Sequence, residues 1–240
     1  MSDAVVIIPT YNEIENIEAI IKAVFSQQKV FHILVVDDNS PDGTADKVTD
    51  LTQQYPGRLF LLNRNKKSGL GTAYIAGFNW SLEKNYAYVF EMDADFSHNP
   101  DDLIKLYEAC AVDGADVSVG SRYVKGITVV NWPLSRILLS YGASMYVRLI
   151  TRMRVKDATA GFVCYKRQVL ETVALSKIRF VGYAFQIEMK FKANKKGFKI
   201  AEIPVIFRDR TKGKSKMSGS IISEAIFGVI SLKLKSLFSK

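Results

Sequence analysis

Two aspartates separated by one residue, Asp93 and Asp95 in VFEMDADFSHNP (89–100), are the side chains of this sequence best suited to chemistry. In an extended segment, positions two apart face the same side, so both carboxylates can approach one hard cation. Mg2+ and Mn2+ are held through oxygen, by one or two carboxylates together with substrate phosphates. The competing reading is a solvated acidic turn that favours the start of the next helix, and for an isolated DxD it is the better one. The apolar run Tyr88-Val89-Phe90 reverses that preference, because an acidic turn after a buried strand faces a ligand crevice. Zinc is disfavoured, since His98 has no second His or thiolate beside it. His32, at the start of a strand, reads as structural, and alternation gives Glu91 no role.

Two other polar turns follow apolar runs in the same way. PTYNE (9–13) offers Tyr11 to stack on a base and Glu13 to meet a ribose or to favour a helix start. DDNSPDG (37–43) offers Asp37 and Asp38, one to accept hydrogen bonds from a base or ribose and the other to order the turn. Sequence does not separate those two roles. Cationic positions complete the set: Arg122 after DVSVGS, Arg136 on an expected helix, and the loop RTKGKSK (210–216). Arginine grips phosphate oxygens bidentately and lysine neutralises them as a point charge; the plainer reading of the loop is a solvated, flexible segment. KKSGLGTAYIAG (66–77) carries Gly69 and Gly71, but Tyr74 breaks GxGxxG and no GxxxxGK[ST] occurs. These glycines read instead as sites of close helix packing beneath a ligand.

The elements that must position these residues alternate. Strand-like runs at 4–9, 32–38, 59–63, 87–93 and 116–121 are separated by helical patterns at 13–27, 44–54, 70–84 and 101–112. Strand–helix alternation builds βαβ units around a mostly parallel, twisted sheet. Ligand residues of such sheets lie beyond the C-terminal ends of the strands, so the three acidic turns are expected on one edge. Further on, 134–152 and 183–196 read as helices, 198–207 as a strand placed at an edge by Pro204, and 221–238 as an amphipathic helix with lysines near its end.

With 240 residues, 48% hydrophobic and 24% charged, the chain can bury one sizeable core and is neither disordered nor collagen-like. Cys110 and Cys164 lack metal-ligand spacing and read as buried free thiols of a reducing compartment. The start AVVIIPT lacks a basic leader, and no apolar run reaches the 18–20 residues of a membrane span, so a cytosolic or membrane-face location is expected. The net charge of +9 is uneven, with +6 carried by residues 208–240. Such a tail suits an anionic partner. No RRM, helix-turn-helix or zinc-finger signature supports nucleic acid, and a small phosphate or an acidic lipid is the better fit.

In order along residues 5–217 stand VVIIPTYNE, ILVVDDNSPDGT, KKSGLGTAYIAGF, MDADFSHNP, VGSRYVKG, DATAGFVCYKR, GYAFQIEM and EIPVIFRDRTKGKSKM. With these motifs the chain closely resembles the polyprenol (dolichyl) phosphate mannose synthases of glycosyltransferase family 2. The resemblance implies an α/β GT-A catalytic domain over 1–220 and a C-terminal amphipathic helix over 221–240. It implies inverting transfer of mannose from GDP-mannose to a polyprenyl or dolichyl phosphate, with Mg2+ or Mn2+, by a peripheral protein on the cytoplasmic face of a membrane. By the same resemblance Pro9, Tyr11, Glu13, Val36, Asp38, Asp93 and Ala94 bind the nucleotide sugar. Asp93, Asp95 and Ser97 meet the metal, Ser97 standing where relatives often carry Gln. Arg210 and Lys216 contact the donor phosphates, and Arg122 and Arg136 grip the acceptor phosphate. Asp95, Arg122, Arg136 and Arg210 are the implied catalytic set. The helix at 221–238 has two readings, interfacial on the membrane or packed onto the domain. Two alternatives accompany the whole: another nucleotide-sugar glycosyltransferase, or a noncatalytic basic protein that binds membranes or nucleic acid.

Overall fold

A computed structural model describes residues 2–182, 184–209 and 219–238, with side chains of the last helix described over 227–236. Its centre is a seven-stranded sheet in the order β3-β2-β1-β4-β7-β5-β8. The strands are β1 (Ala4–Thr10), β2 (His32–Asp37), β3 (Leu59–Asn63), β4 (Tyr88–Glu91), β5 (Val117–Ser121), β7 (Val163–Lys166) and β8 (Ile200–Pro204). A short parallel pair, β6 (Val129–Val130) with β9 (Phe207–Arg208), stands apart. Every neighbouring pair in the large sheet is parallel except the two made by β7, which runs against both β4 and β5.

Alternation along β1 explains the layering. Ala4, Val6 and Ile8 face one core with α1 (Ile17–Phe25), α2 (Thr44–Gln54) and α4 (Asp102–Ala111). Val5 and Ile7 face the other, with α3 (Leu70–Glu83), α6 (Arg167–Thr172) and α7 (Ala184–Lys195). A sheet covered on both faces needs apolar residues at nearly every strand position, and β2 is buried from His32 to Asp37. Helix α1 begins at Ile17, later than the apolar spacing suggested, because residues 14–16 form a turn, closed by the Asn16 and Ile17 amides donating to the Glu13 carbonyl. Strand β7 was not anticipated. It is only four residues long, and its apolar run VCYK is too short to distinguish from loop by period. The edge position of β8 agrees with its proline.

The glycines at 69 and 71 serve close packing. Gly69 has φ +99°, and a Cβ on Gly71 would lie 2.8 Å from the Phe185 ring. Helix α3 thereby approaches the segment before α7 closely enough for the Gly71 amide to donate to the Val181 carbonyl at 2.8 Å.

A third cluster joins α5 (Leu134–Thr151), α7 and α8 (Gly219–Phe238) through Val147, Ile187, Phe191, Val229 and Leu232. Helix α8 thus packs by one side. Phe227, Ile230 and Leu234 remain exposed, as do Leu134, Leu138, Tyr141, Met145 and Leu149 on α5. Both thiols are free and buried. No helix of the described residues is long and apolar enough to cross a membrane.

Candidate active site

Because β1, β2, β3, β4, β5 and β8 run in one direction, their C-terminal ends share one edge of the sheet, and the oppositely directed β7 brings its N-terminal approach there. The turns holding Tyr11, Asp38, Asp93 and Arg122 therefore converge, together with residues 157–162. Hydrogen bonds sew the first two turns into one unit. The amides of Asn12, Glu13 and Ile14 donate to Ser40 Oγ, Thr44 Oγ1 and Asp42 Oδ2 at 3.0, 3.0 and 3.1 Å. Asn12 and Asn39 hold positive φ of 57° and 59°, a conformation asparagine tolerates better than most residues.

The two aspartates after β2 now separate. Asp37 is fully buried and accepts from Thr10 Oγ1, Ser40 Oγ and the Ser40 amide at 2.6–2.8 Å, so it orders the turn. Asp38 instead meets Arg64, with Nη1 3.0 Å from Oδ1. Burial pushes the Asp38 carboxyl up, and Arg64 only partly offsets that. Arg64 also donates to Thr72 Oγ1 at 2.7 Å. It was missed in the sequence although it follows β3 as the other turns follow their strands. Pro9 and Val36 are direct partners in the β1–β2 register. Tyr11 has the Lys67 ammonium 4.3 Å from its ring centre, and Glu13 accepts from Asn16 Nδ2 at 3.1 Å.

The acidic turn is held from inside. The Asp93 amide donates to His98 Nδ1 at 3.1 Å, and the Ser97 amide to Asp95 Oδ1 at 3.0 Å. An accepting Nδ1 puts the proton of a neutral ring on Nε2, and burial lowers the His98 pKa to about 4. His98 is thus a scaffold for the turn, stacked on Phe162 at 4.9 Å. Ala94 is buried, Asp95 is 7% exposed, and Ser97 Oγ is buried without a hydrogen-bond partner among the described residues. Among the described residues no three His, Cys, Asp or Glu side chains form a metal cage. An orphaned hydroxyl beside two carboxylates nevertheless suits a divalent ion whose remaining ligands come from phosphate and water. Below the turn, Glu91 is fully buried and accepts from the Gln186 side-chain amide. Lys190, also fully buried, donates to the Ala160 carbonyl at 2.6 Å. Burial raises the carboxyl and lowers the ammonium, each charge moderating the other.

The cationic side rests on two ion pairs. Arg122 Nε and Nη2 donate to Asp157 Oδ2 and Oδ1 at 2.7 and 2.6 Å, and Nη2 also reaches Thr159 Oγ1 at 2.9 Å. Asp157 is fully buried; burial opposes its charge, but the guanidinium outweighs it and holds the carboxyl below the usual range. Arg136 Nη1 donates to both Asp209 oxygens at 2.9 Å and lies over the Trp132 ring at 4.0 Å. Neither acidic partner was legible, since each lies far from its arginine in the chain. Phe207 links the two sides: its ring centre is 5.7 Å from that of His98, 5.2 Å from that of Trp132, and 5.5 Å from the Arg122 guanidinium. Arg210 and Lys216 lie outside the described residues.

The glycosyl transferase family 2 model matches residues 5–174. The polyprenol monophosphomannose synthase of Mycolicibacterium smegmatis is 47% identical over 224 residues, covering 93% of this chain and 84% of its own. The dolichol-phosphate mannosyltransferase of Pyrococcus furiosus is 40% identical over 91% of this chain and 60% of its own length. Among solved structures, glucosyl-3-phosphoglycerate synthase from Mycobacterium tuberculosis, crystallised with Mn2+, UDP-glucose and phosphoglyceric acid, has a TM-score of 0.72 at 15% identity. That match covers 96% of this chain and 79% of the synthase. The mannosyltransferase PcManGT of Pyrobaculum calidifontis, in complex with GDP-Man and Mn2+, has a TM-score of 0.62 at 17% identity, with 99% and 65% covered. Both share the GT-A architecture of a mostly parallel sheet flanked by helices.

Proposed function

Because the chain belongs to glycosyl transferase family 2, and is therefore a glycosyltransferase, we propose that it transfers mannose from GDP-mannose to a polyprenyl phosphate with inversion at the anomeric carbon. The observation that carries the reading is a divided site: one sheet edge presents an acidic pair and, across Phe207, an arginine cluster. Such a site suits two phosphate groups of different standing, one accompanied by a cation and one gripped directly. The mannosyltransferase relatives support the sugar and the lipid phosphate.

A divalent cation bound to the donor diphosphate supplies charge neutralisation of the leaving group. Asp93 and Asp95 would hold it, with Ser97 Oγ as a further oxygen, and Arg210 and Lys216 would take the remaining phosphate charge. Pro9, Tyr11, Glu13, Val36, Asp38 and Ala94 line the nucleotide sugar, and Arg64 fixes Asp38. Arg122 and Arg136 orient the acceptor phosphate. With a second pKa near ~6 that phosphate is largely dianionic at neutral pH, so alignment rather than proton removal limits the step.

The lipid tail of the acceptor implies work at a membrane surface. On α5, Leu134, Leu138, Tyr141, Met145 and Leu149 recur at helical spacing along one exposed stripe, and α8 adds Phe227, Ile230 and Leu234. Arg148, Arg152, Lys233 and Lys235 stand at the same ends of these helices, which suits a peripheral protein lying on anionic lipid at the cytoplasmic face.

The test is incubation with labelled GDP-mannose, Mg2+ or Mn2+, and undecaprenyl or dolichyl phosphate. A lipid-extractable mannosyl product is expected, and its loss on chelation. Label transferred from UDP-glucose but not from GDP-mannose would overturn the donor; transfer only to water-soluble acceptors would overturn the lipid.

A further inference from the structure

Trp132 lies between the β6 strand and α5, and three contacts fix its ring. The Arg136 guanidinium sits 4.0 Å from the ring centre, that of Arg122 5.6 Å, and Phe207 packs edge-on at 5.2 Å and 72°. Its indole Nε1 is sealed from solvent and has no hydrogen-bond partner among the described residues. Buried donors are seldom left unmade, because such a group forfeits its water without recompense. An indole N–H can only donate, and a guanidinium can only donate, so neither neighbouring arginine can satisfy it. Both guanidiniums already face a carboxylate, so the donor that lacks an acceptor is the indole N–H, and an oxyanion drawn to this cationic pair is an acceptor that suits it.

We propose that Trp132 is a direct ligand of the acceptor phosphate, its Nε1–H donating to a phosphate oxygen of the isoprenyl phosphate while its ring supports the Arg136 guanidinium 4.0 Å from its centre. The inference rests on the lipid-phosphate reading above and adds a residue that makes recognition depend on a neutral, directional donor. A point charge accepts any anion of suitable size. An indole N–H held beside two guanidiniums adds a directional contact to acceptor binding.

Trp132→Phe retains the ring and its stacking and removes only the N–H. Loss of a hydrogen bond to a charged group corresponds to about a 10- to 100-fold rise in the acceptor KM. The KM for GDP-mannose is expected unchanged, and kcat at saturating acceptor within about threefold, because saturation with acceptor masks a pure binding loss. A merely structural role for Trp132 would move both KM values or the yield of folded protein, not the acceptor KM alone. A second measurement is independent of that variant's folding. Trp80 packs against Phe60 and Tyr86 on α3, away from the arginines, so Trp80→Phe leaves Trp132 as the sole indole. Its emission is expected to change saturably with geranylgeranyl phosphate and not with GDP-mannose. A wild-type acceptor KM in Trp132→Phe, or a Trp80→Phe emission blind to geranylgeranyl phosphate in an enzyme that still transfers to it, overturns the role of Trp132 alone. A wild-type protein that neither binds nor mannosylates any isoprenyl phosphate overturns the function itself and this inference with it.

Discussion

The two sides of the candidate site are built on opposite plans. On the acidic side, the turns after β1, β2 and β4 are set by backbone amides that donate to the side chains of Ser40, Asp42, Thr44, Asp95 and His98. Their side chains are largely committed to one another, and the sheet beneath them is buried on both faces. On the cationic side, each arginine is paired with a carboxylate far along the chain, Asp157 for Arg122 and Asp209 for Arg136. The first plan tolerates the loss of any one bond because the others hold the turn. The second rests a charged side chain on a carboxylate brought from a distant part of the chain.

That contrast is open to being broken. The largest effect is expected at Asp95→Ala: turnover falls by at least about 10⁴-fold, equivalent to more than 5 kcal/mol of transition-state stabilisation, while the melting temperature stays near wild type. Substantial residual turnover in a metal-replete assay would remove Asp95 from the metal role. Asp157→Ala is expected to act through stability. It leaves Arg122 buried without its carboxylate, which costs about 3–5 kcal/mol, read as a lower denaturant midpoint. If that variant melts like wild type, the cationic side is as redundant as the acidic one. Arg136→Ala, whose partner Asp209 is more exposed than Asp157, should fold normally and weaken acceptor use by about 10- to 100-fold. Equal losses in acceptor use and GDP binding would count against its assignment.

The smallest effect concerns pH. Burial lowers the pKa of both His32 and His98. The unfolded chain therefore takes up protons before the folded one as pH falls below about 6.5, and stability declines from there. The decline continues to about 4 for His98, and neither residue contributes a slope at higher pH. Urea midpoints at two pH values on either side of this threshold measure it, and His32→Phe should reduce the difference modestly. An unchanged difference would assign the slope to His98 and so to the acidic side.

The same contrast governs how far the sequence could be read. Strands β1 to β5 and helices α2, α3 and α4 were legible because each repeats a period over several residues, and one parallel sheet edge then collects every turn that follows a strand. The close-packing role of Gly69 and Gly71 was legible because their motif failed as a phosphate loop. The separate duties of Asp37 and Asp38 were not, since both neighbours have the same chemistry and only the pleat distinguishes them. Strand β7, the Asp157 and Asp209 partners, and the hub at Phe207 were also hidden. Each depends on residues brought together from distant parts of the chain, and no local spacing encodes such a meeting. Arg64 is different: it stood after β3 in plain sight, and the rule that selected the other turns would have selected it.

The placement of β7 has a consequence in time. Strands β1 to β4 can complete their mutual pairing once residue 91 has been made, because each finds its neighbours among segments already synthesised. Strand β5 cannot. Its only partners in the sheet are β7 and β8, both later in the chain. During synthesis, Val117–Ser121 must wait, a ribbon with bare edges, for at least another 40 residues, which at about 5–20 residues per second is a delay of seconds. The acidic side of the site is thus old in the life of each molecule, and the arginine side young. A chain stalled or cut between 121 and 163 would carry a formed nucleotide-side sheet and an exposed, aggregation-prone strand.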